Sequence, residues 1–86
     1  MNAHPEAETL IRELGGLAPV SRLFNIKLPS VADWRSNGVP HARLQTLQAW
    51  ARLPANAALP TAEITPARVR KALEAAGLSA SKSRAA

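Results

Sequence analysis

Seven prolines divide this 86-residue chain, and their placement constrains the fold more than any other feature. A proline fixes φ and lacks an N–H, so a helix tolerates it in the first turn and is broken by it further in. Pro5, Pro19, Pro29, Pro40 and Pro66 each stand at the start of a run in which apolar residues recur at three-to-four spacing. Pro54 and Pro60 lie instead in "PANAALPTA", residues 54 to 62, an uncharged stretch that reads as an extended connector. Period-two alternation is almost absent. The chain is therefore predicted to be all-α, with four to five short helices.

In the first helix Ala7, Leu10, Ile11 and Leu14 form one stripe, ended by Gly15-Gly16. Residues 18 to 24 form a second helix with Val20, Leu23 and Phe24 inward. Asn25, a residue that tolerates left-handed backbone, then supplies a sharp turn. A third helix, Leu28 to Ser36, faces Val31 and Trp34 inward and is closed by Asn37-Gly38. A fourth carries Leu44, Leu47, Trp50 and Ala51 until Leu53-Pro54 stops it. Thr65-Pro66 reads as an N-cap and N1 proline, with Ile64 stapled onto Val69. The fifth helix runs to about Ala76, where Gly77 and Leu78 predict a Schellman ending with Leu78 on Leu73. Residues 79 to 86, "SASKSRAA", have almost nothing to bury and are expected to be a disordered basic tail, Lys82 and Arg84 being available to phosphate.

Without cysteine there is neither a disulfide framework nor a thiolate metal site, and 86 residues make one core at most. No apolar run approaches the ~20 residues of a membrane span. The chain reads as soluble and intracellular. Its net charge is +5, unevenly spread. Glu6, Glu8 and Glu13 oppose Arg12 near the start, whereas Arg22, Lys27, Arg35, Arg43 and Arg52 face Asp33 alone between residues 17 and 53. Such a surface favours a polyanion, because each phosphate neutralised releases counterions; an ordinary solvated basic surface is the competing reading.

Catalysis finds no support: there is no cysteine, and His4 and His41 lie in unrelated segments. His4 belongs to a loose start and His41 to a solvated first turn, so no metal or cofactor is expected. Trp34 reads as core, Trp50 as core or as a contact between copies. Arg68, Arg70 and Lys71 read as the solvated face of helix five, or as a contact with DNA or an acidic partner.

From Leu17 to Ser36 the sequence is "LAPVSRLFNIKLPSVADWRS". Val20, Ser21, Phe24, Ile26, Val31 and Trp34 fall inward on two short helices joined by a tight turn. The small Ser21 allows a close crossing. With Gly15-Gly16 before it and Gly38-Val39-Pro40 after it, this stretch resembles the helix-turn-helix of small phage and prophage Cro-type repressors. The matching residues are those glycines, Val20, Leu23, Phe24, Ile26, Val31, Trp34-Arg35 and the Gly-Val-Pro step, and the resemblance covers about residues 7 to 53. Lys27 stands where that family usually has Ser or Thr, and Ala18 where Gln is common.

The resemblance implies a helix-turn-helix domain over residues 1–53 and a transcriptional regulator in the bacterial cytoplasm, a homodimer on double-stranded DNA. Its second motif helix would enter the major groove. By position, Lys27, Leu28, Pro29, Ala32, Asp33 and Ser36 would face the bases, with Ser30 at the edge. Arg22, Arg35, Asn37, His41 and Arg43 would meet phosphates. The dimer surface is expected in helix four, the 54 to 62 connector or helix five, whose apolar groups a few short helices would not all cover. Residues 54–78 would then be a connector and C-terminal helix with a possible dimerisation role. The short side chains of the third helix leave a second reading open. The motif would then be an interaction module, an antitoxin or phage-encoded inhibitor, that grips a host protein such as a part of the transcription machinery.

Overall fold

Missing and surplus backbone hydrogen bonds decide where each element starts and stops. In the computed structural model, which describes residues 4–78, five helices follow one another. They are α1 (Pro5–Glu13), α2 (Leu17–Phe24), α3 (Leu28–Asn37), α4 (His41–Ala51) and α5 (Pro66–Ala76). Among the described residues there is no strand. Pro5, Pro29 and Pro66 lie in first turns, where an N–H would find no partner within the helix. Pro40 caps α4 from outside it. The basic tail predicted for residues 79 to 86 lies outside the described residues.

Three helices end in the same wrapped turn. The N–H groups of Gly16, Ile26 and Leu78 each donate to the carbonyl five residues back, on Ile11 (2.9 Å), Ser21 (2.9 Å) and Leu73 (2.8 Å). The residue before each donor has positive φ, and for α2 that residue is Asn25 at φ 55°, the one described non-glycine residue in that region. The Thr65 side chain accepts from the N–H of Arg68 at 3.2 Å, forming the predicted cap of α5.

The core draws on every helix. α1 packs on α5, α3 and α2, while α4 packs on α5 and α2 on α3. Ala7, Leu10, Ile11 and Leu14 meet Val20, Leu23, Val31, Trp34, Leu47, Ile64, Val69, Ala72 and Leu73 in one cluster. The apolar groups of Ile64 and α5 are thus covered within a single chain. On α4 only Leu47 is fully buried; Leu44, Trp50 and Ala51 are half-buried at the margin of the cluster.

Polar contacts tie the helix ends together. Arg68 Nε donates to the Glu13 carbonyl at the end of α1 (3.0 Å). Arg70 donates through Nε and Nη2 to the Ala51 carbonyl at the end of α4 (3.2 and 3.0 Å). Arg68 and Arg70 are exposed, as a solvated face requires, and they also bond orphan carbonyls at helix ends, where a cation meets the negative end of the helix dipole. Gln48 Nε2 donates to the Leu78 carbonyl at 2.9 Å, securing the far end of α5. Among the described residues no helix is long and apolar enough to cross a membrane.

Candidate nucleic-acid interface

The mount of α3 starts from one small residue and three aromatic rings. Ser21 is buried, its hydroxyl donating to the Ala18 carbonyl at 2.8 Å, so nothing bulky separates α2 from its neighbours. Asn25, Ile26 and Lys27 then turn the chain, and α3 returns across α2. Val31 is 0% exposed and Trp34 4%. Phe24 meets Trp34 edge to face, centroids 5.8 Å apart, and stacks on Trp50 at 5.5 Å. One aromatic chain therefore joins α2, α3 and α4, and Trp50 finds its partner inside the molecule.

Apart from Val31 and Trp34, α3 points outward. Leu28, Pro29, Ser30, Asp33, Arg35, Ser36 and Asn37 are exposed and Ala32 is half-buried. Leu28 is the one large apolar side chain exposed among the described residues, at 46%. Lys27 precedes the helix in extended backbone and offers no side-chain bond to its first turn, since an ammonium group has no lone pair to accept from an N–H.

Arg43 of α4 stands between two surface hollows. One, of about 290 Å³, lies between α3 and α4 and brings Ser30, Asp33, Asn37 and Arg43 around Trp34. The other, of about 520 Å³, is bordered by Arg22, Asn25, Arg43, Thr46 and Pro60 over the Phe24 and Trp50 rings. Arg43 is held over the Phe24 ring, its guanidinium carbon 5.2 Å from the centroid. Lys27, Leu28, Pro29, Ala32, Arg35, Ser36 and His41 line neither hollow; His41 is exposed in the first turn of α4. Of the residues singled out from sequence, the fold thus brings Ser30, Asp33 and Asn37 to Arg43 on one side and Arg22 to it on the other.

No family model, curated protein or solved structure matches this chain.

Two pairings, one at Arg22 and one at the exit of α3, escaped the sequence reading. Glu63, from the segment before α5, takes both oxygens of its carboxylate to Arg22, with Nε to Oε2 at 2.5 Å and Nη2 to Oε1 at 2.7 Å. The hydrogen bonds from Arg22 hold the Glu63 carboxyl below the usual carboxylate range. His4 is no loose start: its N–H donates to the Arg35 carbonyl at 3.0 Å and its Nδ1 lies 3.1 Å from Glu6 Oε2. Its ring lies so close to Gly38 that a Cβ there would come within 3.2 Å of Nδ1, and Gly38 also takes φ 87°. Glycine at the exit of α3 thus answers both a backbone and a space requirement. The Glu6 carboxyl is likewise lowered, first by its backbone N–H and then by His4. Both pairings span elements, and no local pattern announces them. Among the described residues no three His, Cys, Asp or Glu side chains gather as a metal site would require.

Proposed function

We propose that this protein is a Cro-like helix-turn-helix regulator of transcription that binds double-stranded DNA with α2 and α3 as the motif. The observation that carries the reading is the exposure of α3, which gives only Val31 and Trp34 wholly to the core and leaves the rest of its surface outward beside Arg22 and Arg43. A rod mounted so narrowly suits the major groove.

In this reading Lys27, Leu28, Pro29, Ser30, Ala32, Asp33 and Ser36 face the base edges. Asp33 accepts from a cytosine amino group and Leu28 or Ala32 touches a thymine methyl. Arg22, Arg35, Asn37, His41 and Arg43 meet phosphates and fix the register. Few side chains on α3 make bidentate base contacts, so DNA shape carries part of the selectivity. Two copies on a two-fold operator would set half-sites about 34 Å apart.

A fluorescence titration of random and operator-like duplexes across a range of salt tests this. The reading expects a steep salt slope and a preference for one sequence. Arg43→Ala weakens binding about equally on all sequences, whereas Asp33→Ala alters which sequence is preferred. Salt-insensitive or absent duplex binding would sink it. The second reading, a module that grips a host protein, is favoured by one observation: Leu28, the exposed large apolar side chain, lies at the start of a helix otherwise short of base-reading groups. Capture of a protein partner through that helix, lost in Leu28→Glu, would favour it.

A further inference from the structure

We propose that Glu63 is a built-in competitor for the phosphate that Arg22 would otherwise meet; this rests on the DNA-binding reading above. A guanidinium presents two parallel N–H donors that fit a phosphate as well as a carboxylate. In this chain that fork is already filled, by Nε and Nη2 on the two oxygens of Glu63.

The occupant is delivered from far along the chain, 41 residues away, by an anchored backbone. Ile64, the next residue, is 2% exposed in the core. Thr65 caps α5, and the Glu63 N–H reaches Thr61 Oγ1 at 3.4 Å. The carboxylate is thus presented to Arg22 by the fold. Yet the pair is open to water, with Arg22 at 55% and Glu63 at 43% side-chain exposure. Ion pairs this exposed are weak enough to be exchanged. Arg43, on the same hollow, makes no hydrogen bond among the described residues and rests on the Phe24 ring. A phosphate arriving at the hollow therefore finds one cation open and one occupied.

Exchange has a measurable signature. As long as Glu63 fills the fork, Arg22 neutralises no phosphate and the duplex keeps the counterion that contact would release. Arg22 then adds little to the salt slope, because Glu63 holds it for much of the time. Glu63 sets how much of the positive surface is usable, and residues 61–64 act as a restraint on non-specific binding.

The test compares Glu63→Gln with Glu74→Gln, which removes the same charge from an exposed position on α5, on a random duplex. Glu63→Gln is expected to tighten binding by about three- to tenfold at ~50 mM salt and to steepen the log–log slope by about one, the share of one phosphate. Glu74→Gln should change both far less. In an Arg22→Ala background the gain from Glu63→Gln should shrink to that of Glu74→Gln. Equal effects of the two glutamine variants, or a gain that survives Arg22→Ala, would overturn the proposal while leaving DNA binding intact. If the unaltered protein and all variants fail to bind duplex, the DNA-binding reading falls, and this inference with it.

Discussion

At Asn25 a single side chain decides whether α2 can hand the chain to α3. Its φ of 55° costs a β-branched residue about 1–2 kcal/mol, costs asparagine less and glycine least. Asn25→Gly should therefore leave the melting temperature within a degree or two, whereas Asn25→Val should lower stability by about 1 kcal/mol or more. Denaturant melts of the two variants read the difference, and equal midpoints would show that the turn is not held in that conformation. Ser21 is constrained by space instead: it is buried with its hydroxyl spent on Ala18. These requirements are local, which is why Asn25 and Ser21 were legible from sequence.

Among the elements, α3 is the most narrowly mounted. Val31 and Trp34 carry its attachment, reinforced by the Phe24 edge contact. Trp34→Ala should cost about 3–5 kcal/mol, enough to unfold a small domain. A folded variant with near-native circular dichroism would show that the helix is anchored elsewhere. Helix starts and ends were largely readable, because prolines, Asn25, Thr65 and Gly77 act within one turn of themselves. What joins the helices was not. The reach of Arg68 to Glu13, of Arg70 to Ala51 and of Glu63 to Arg22 bridges 55, 19 and 41 residues, and a solvated arginine that also bonds a carbonyl looks, in sequence, like one that does not. The apolar stripe of α4 was seen but its depth was not, since burial there depends on how far α5 extends over it. For the candidate site, the outward residues of α3 followed from helical spacing, whereas their grouping with Arg22 and Arg43 needed the fold.

For the whole molecule, charge and topology govern behaviour. Glu63 and Glu6 both have their carboxyl groups held below the ordinary range in the folded state. A lowered folded value means stability that is present above the unfolded value, about pH 4.3 for Glu, and lost as pH falls through the folded one. The melting temperature should be flat from about pH 7 to 5 and drop toward pH 3. The drop should be smaller in Glu63→Gln, and identical acid profiles would show that the pair contributes nothing. The topology carries a consequence for synthesis. Because the last helix lies on the first, α1 in a chain emerging from the ribosome lacks one of its three packing partners until residue 76 is clear of the exit tunnel. A chain stopped before the fifth helix would leave open to water the faces of α1 and α4 on which α5 lies.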